Sequence, residues 1–114
     1  MSSSAAIQTE LLLKPECGIK HDAGKARFDL IPPKVLIDLA DIYTYGAEKY
    51  EDRNWEKGMA YSRVYGAVQR HLNAYWGGQD LDEESGLPHL MHAAFGLFAL
   101  QQFATTHPEL DDRP

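Results

Sequence analysis

Apolar residues recur at three- and four-residue steps in three stretches of this chain, and nowhere does a period of two persist. In the first stretch Val35, Leu36, Leu39, Ile42, Tyr43, Gly46, Ala47 and Tyr50 form one stripe, with Lys34, Asp38, Asp41 and Glu48 off it. The Pro32-Pro33 pair suits a helix start. Glu51-Asp52-Arg53-Asn54 has no periodicity and ends the helix near Tyr50; Lys57-Gly58 closes a loop that holds Trp55. The second stretch runs through Val64, Val68, His71 and Tyr75, widened by Ala67, Leu72 and Ala74. Ser62 is its expected N-cap and Gly77-Gly78 its stop. The third, from about Leu87-Pro88 to about Phe103, is apolar nearly all round, the pattern of a central buried helix. Phe28-Asp29-Leu30-Ile31, short and set against two prolines, reads as an extended segment. These patterns predict an all-α fold, a small bundle of three to four helices.

The two ends read differently. Residues 1–20 are expected to be a flexible N-terminal segment, 21–103 the helical domain and 104–114 a polar tail, with both ends fraying. A length of 114 residues suits one hydrophobic core. With 44% hydrophobic and 25% charged residues, global disorder is excluded. The formal charge of −6 argues against duplex nucleic acid or a polybasic membrane contact, and leaves room for a small basic pocket holding one phosphorylated ligand. Cys17 is the single cysteine, so neither an intrachain disulfide nor a thiolate metal site is open to this sequence. No apolar run approaches the ~18 residues of a membrane span, and the Met-Ser-Ser-Ser-Ala-Ala start lacks signal-peptide features. A soluble, cytoplasmic protein is the expectation.

The candidate chemistry centres on histidine. His89 and His92, three apart, project from one helix face. Gly77-Gly78 would turn the second and third helices antiparallel and bring His71 towards that pair. Each alone reads as a hydrogen-bonded core histidine; the three together, beside an acidic loop, read as metal ligands or proton-transfer groups. In that loop Asp80, Asp82, Glu83 and Glu84 suit a helix N-terminus through its dipole. The functional reading has Asp82 or Glu84 joining the histidines on a divalent cation. Carboxylates alone suit Mg²⁺, whereas imidazole draws preference towards Mn²⁺, Co²⁺ or Zn²⁺. Lys25 and Arg27, around Gly24, are candidates to grip phosphate oxygens, although the spacing is not that of a P-loop. Lys49 and Tyr50 with Asn54-Trp55 bring together a cation, aromatic planes and an amide, a set able to stack and read a nucleobase. The alternative is that Tyr50 and Trp55 only cover the core. Arg70, beside His71, diverges from it by ~100° around the helix.

The run from Gly24 to about Phe103 resembles a phage-associated family, the dATP/dGTP diphosphohydrolase N-terminal domain. The resemblance rests on Gly24-Lys25-Ala26-Arg27-Phe28-Asp29-Leu30-Ile31-Pro32-Pro33 and on Tyr45-Gly46-Ala47-Glu48-Lys49-Tyr50 with Asn54-Trp55. Arg70-His71 follows in order, then Asp82-Glu83-Glu84-Ser85-Gly86-Leu87-Pro88-His89-Leu90-Met91-His92-Ala93. It implies a relation to the all-α, MazG-like nucleoside triphosphate pyrophosphohydrolases, which are oligomeric bundles with E-x-x-E and E-x-x-D carboxylates on Mg²⁺. Here the E-x-x-D slot holds His89-Leu90-Met91-His92, and Arg70-His71 stands where a Glu pair is expected.

The leading expectation is therefore metal-dependent hydrolysis of a purine (deoxy)nucleoside triphosphate to the monophosphate and pyrophosphate. Catalytic roles fall to His71, His89, His92 and Glu84, metal binding to His71, His89, His92 and Asp82. Substrate binding falls to Lys25, Arg27, Lys49, Tyr50, Asn54, Trp55 and Arg70. The alternatives are a nucleotide-binding module without catalysis, or a small structural or host-interaction protein. A homodimer or higher homo-oligomer is also expected, because three modest helices can scarcely bury this much apolar surface. If phage-encoded, the protein would work in the host cytoplasm.

Overall fold

The structure, a computed structural model, describes residues 17–114, so most of the segment expected to be flexible lies outside the described residues. The chain divides after Leu30 into two units. In the described part of the first, the Lys25 N–H donates to the Asp22 carbonyl at 3.1 Å. Phe28–Leu30 forms one 3-10 turn instead of the extended segment read from the prolines. The Leu30 N–H closes that turn onto the Arg27 carbonyl at 3.1 Å, a local bond the prolines downstream do not prevent.

The second unit holds three α-helices: α1 Pro33–Lys49, α2 Tyr61–Trp76 and α3 His89–Thr106. No β-strand occurs among the described residues, so the fold is an all-α small bundle. Pro33 occupies the first turn of α1, where its missing N–H costs nothing. The Tyr50 N–H closes α1 onto the Gly46 carbonyl. Gly78, at φ +101°, takes the left-handed conformation that ends the turn after α2.

The start of α2 differs from expectation. Ala60, not Ser62, is its N-cap residue, and Ser62 lies inside the first turn. Its N–H donates to the Asp112 carboxylate at 2.8 Å and its hydroxyl donates to the same group. The cap comes from 50 residues away in sequence, which local reading cannot see. The same contact fastens the tail that was expected to fray. Residues 104–106 extend α3, Pro108–Leu110 forms a 3-10 turn, and the His107 ring bonds the Glu56 carbonyl at 2.8 Å.

α2 and α3 run antiparallel, since Tyr61 stacks on Phe103 while His71 meets His89. They approach closely at Gly96, where a β-carbon would collide with Val68. The core joins Tyr61, Val64, Ala99 and Phe103, with Trp55, Leu100 and Leu110 packed on it. α3 packs against both other helices and is central in that sense. It is not buried all round: His89, Ala93, Gly96, Ala99 and Phe103 face inward, while Leu97 and Phe98 are 53% and 52% exposed. Three helices leave one side of the middle one uncovered. Among the described residues no helix is long and apolar enough to cross a membrane.

Candidate functional site

The loop between α2 and α3 folds back over the start of α3. Leu81 and Pro88 form an isolated bridge, the Asp82 N–H donates to the Leu87 carbonyl at 2.8 Å, and the His89 N–H donates to the Asp80 carbonyl at 2.9 Å. This clasp brings the acidic loop onto the histidines. The Asp82 Oδ2 accepts the Ser85 N–H at 2.9 Å and the Ser85 hydroxyl at 3.1 Å. Its partial burial pushes the carboxyl up, but these bonds outweigh it and hold Asp82 below the usual carboxylate range.

Antiparallel packing then places the three histidines together, as the spacing implied. His71 Nδ1 and His89 Nδ1 are 2.8 Å apart. The His71 ring stacks on His92 with centroids 4.6 Å apart. His89, only 5% exposed, bonds Gln79 Oε1 through Nε2 at 3.0 Å, and His92 Nε2 lies 2.7 Å from Ser85 Oγ. Among the described residues no buried side-chain nitrogen or oxygen lacks a partner, so the polar cost of burying these rings is met. Burial, reinforced by the neighbouring imidazoles, holds His71 below the ordinary histidine range. Burial does the same for His92, against the pull of Asp82.

The donors fit a divalent cation in one subset. One ligand atom each from His71, Asp82 and His89 lies within 4.8 Å of the others. Two nitrogens and one carboxylate oxygen favour Mn²⁺, Co²⁺ or Zn²⁺ over Mg²⁺. His92 falls outside this subset, its Nε2 lying against Ser85 and 4.0 Å from Asp82 Oδ2.

A cleft of about 650 Å³ opens beside the cluster. His71, Asp82 and His92 reach it from the cluster side, and Lys49, Arg70 and Glu84 line it nearby. Tyr50, Asn54 and Trp55 line it as well. Lys49 donates to Glu84 at 2.6 Å, a bond that is the main cause of Glu84 lying below its ordinary carboxyl range. Glu84 is thus engaged by α1 and stands outside the donor subset. Among the described residues no carboxylate pairs with Arg70. Trp55 combines two roles that sequence reading held apart: it lines the cleft and sets its ring against Tyr43 and Phe95, each 6.1 Å away. Lys25 and Arg27 belong to the first unit, where Arg27 makes a two-pronged contact with Asp29 at 2.8 and 2.7 Å.

Three members of the site carried no role in the sequence reading. Tyr45 sits edge-on to His92 with centroids 6.0 Å apart, one turn before Lys49 on α1. Ser85 follows Asp82 by three, a spacing that lets an Asp side chain hold the serine N–H. Gln79 gave no signal at all, since its partner His89 lies ten residues on, across the loop.

The comparisons with known proteins agree with one another. A protein of Salmonella phage PMBT28 named dATP/dGTP diphosphohydrolase is 38% identical over 96 residues, covering 84% of this chain and 33% of that protein. The chain thus spans about a third of that relative's length. No solved structure matches it. The family model described as dATP/dGTP diphosphohydrolase, N-terminal, matches residues 15–113, and the chain, matched over nearly its whole length, belongs to that family.

Proposed function

We propose that this domain binds a purine deoxynucleoside triphosphate in the cleft and, with a divalent cation, hydrolyses it to the monophosphate and pyrophosphate. The observation that carries the reading is the convergence of His71, His89 and Asp82 beside a cleft that also holds Lys49 and Arg70. The name of the phage relative supports the substrate class.

His71, His89 and Asp82 would hold the cation. When bound, such an ion neutralises phosphate charge and makes a nearby water more acidic. The chain's own residues do the remainder. Arg70 and Lys49 neutralise phosphate oxygens, Arg70 with a planar fork suited to two of them. Neutral His92 accepts at Nδ1 the proton of the water that adds to the α-phosphorus as its bond to the bridging oxygen of the β-phosphate breaks. Glu84 holds Lys49 at the cleft edge. Tyr50 and Trp55 offer ring faces to the base, and Asn54 an amide to read its edge.

A cleft that binds nucleotide without turning it over is favoured by one observation: Asp82 is the only carboxylate in the donor set, and its Oδ2 is already occupied by Ser85. A panel of dATP, dGTP, dCTP and dTTP with Mg²⁺, Mn²⁺ or Co²⁺, resolving pyrophosphate from phosphate, tests both. Pyrophosphate release with the purine substrates supports hydrolysis. Saturable purine nucleotide binding without release supports the binding module, and neither overturns both.

A further inference from the structure

The hydrogen bonds at Gln79 fix a detail that the histidine cluster leaves open. Gln79 Nε2 donates to Glu83 Oε1 at 3.3 Å. A carboxylate only accepts, so the amide nitrogen must face Glu83, and the amide oxygen must face His89. That oxygen lies 3.0 Å from His89 Nε2 and can only accept, so His89 Nε2 carries a proton. A neutral His89 then bears its lone pair on Nδ1, the atom 2.8 Å from His71 Nδ1. We infer that Gln79 is a positioning residue: oriented by Glu83, its amide oxygen holds His89 in the Nε2–H tautomer and so presents the Nδ1 lone pair to the place where His71 and Asp82 converge.

The inference rests on the metal-site reading proposed above and adds a partner to it. Imidazole ligands are commonly held this way, with the second ring nitrogen bonded to a carbonyl or carboxylate that sets tautomer and orientation. Without a cation, the His89 Nδ1 lone pair accepts the His71 Nδ1 proton. With one, His71 carries its proton on Nε2 instead, while His89 needs no change. The bond from α3 to Gln79 therefore prepares one ligand in advance. Ser85 fixes the tautomer of His92 in a similar way, although His92 stands outside the donor subset. The Ser85 hydroxyl donates to Asp82, which only accepts, so Ser85 Oγ must accept from His92 Nε2, leaving that ring's lone pair on Nδ1 as well.

Two variants of the full chain test the assignment: Gln79→Met, similar in size with no strong acceptor, and the exchange Gln79→Glu with Glu83→Gln, which keeps both an acceptor at position 79 and a donor at position 83 to orient it. Ring-nitrogen NMR on histidine-labelled protein reads the His89 tautomer, and calorimetric titration with Mn²⁺ and with Co²⁺ reads affinity. Gln79→Met is expected to leave His89 in a mixture of tautomers and to weaken cation binding about 10–100-fold at unchanged helix content. The Gln79→Glu, Glu83→Gln exchange is expected to restore the single Nε2–H form. An unchanged His89 tautomer in Gln79→Met overturns the inference. So does cation binding by Gln79→Met as tight as that of the unsubstituted chain. If the unsubstituted chain binds neither cation, the metal-site reading falls together with the inference, a result distinct from a failure at Gln79 alone.

Discussion

The imidazoles of His71 and His92 stack with centroids 4.6 Å apart and planes 6° from parallel. Burial disfavours the charge on each ring, and a neighbouring imidazole adds to it, His92 beside His71 and His89 beside His92, so both are held neutral to lower pH than free histidine. A folded pKa below the unfolded value means that the unfolded chain takes up protons first as the solution is acidified. The stability these rings confer is full above about pH 6.5 and is lost as pH falls below it towards the folded values. His107 acts in the opposite sense. Its bond to the Glu56 carbonyl, then Glu109, raises it above the ordinary value of 6.5, so its contribution is full below that pH and is lost as pH rises through the folded value. Thermal unfolding midpoints across about pH 5 to 8 should decline on the acid side in the unsubstituted chain and less so in the His71→Gln, His92→Gln double variant. His107→Gln should flatten only the alkaline side. An acid limb of equal slope in the double variant would refute the assignment.

The same substitution should have opposite effects at two helical glycines. A β-carbon on Gly96 collides with Val68 Cγ2 across the α2–α3 contact, whereas one on Gly46 meets nothing within 4 Å. Gly96→Ala is expected to cost about 1–3 kcal/mol by overpacking. Gly46→Ala is expected to gain about 0.5–1 kcal/mol from helix propensity. Urea denaturation measures both, and Val68→Ala should relieve part of the Gly96→Ala loss. A Gly96→Ala chain as stable as its parent would show that the helices separate more easily than the packing implies.

Histidine replacements should divide into two classes. His71→Gln and His89→Gln are expected to lower pyrophosphate release about 100-fold or more, together with cation affinity. His92→Gln is expected to lower release to a similar extent while leaving cation affinity in place, because His92 stands outside the donor subset. Circular dichroism should show unchanged helix content in all three. Near-normal turnover in a His89→Gln, His92→Gln double variant would remove the metal-site reading.

Phosphate neutralisation is testable at the cleft edge. Arg70→Met and Lys49→Met are each expected to weaken purine nucleotide binding about tenfold, the loss of one charge-assisted contact. Glu84→Gln should cost less than Lys49→Met, since it removes the group that holds the ammonium and leaves the ammonium itself. Equal binding by Lys49→Met and the unsubstituted chain would take Lys49 out of the site.

Uncovered apolar residues lead us to propose a homo-oligomer, most simply a dimer. Trp76 is 87% exposed, and Leu97 and Phe98 on α3 are about half exposed. Groups of this size in water favour association. Sedimentation at micromolar concentration should show a dimer, and Leu97→Ser with Phe98→Ser should shift it towards monomer at unchanged helix content. A chain that sediments as a monomer at every concentration would refute it.

What the sequence determined by itself was local. Apolar residues at helical spacing marked all three helices, Pro33 and Gly78 marked a start and a stop, and His89 with His92 at one face of α3 followed from a separation of three residues. These depend on neighbours along the chain, where backbone geometry alone sets which side chains meet. Tertiary structure decided the rest. Asp112 replaces the local cap that Ser62 implied, Glu84 turns to Lys49 and leaves the donor set, and Gln79 reaches His89 across a loop. The uncovered side of α3 depends equally on how many helices surround it, so its apolar pattern announced burial that only two neighbours cannot provide. Each of these outcomes is a contest between partners distant in sequence, and polar side chains settle with whichever partner the packed backbone brings within about 3 Å.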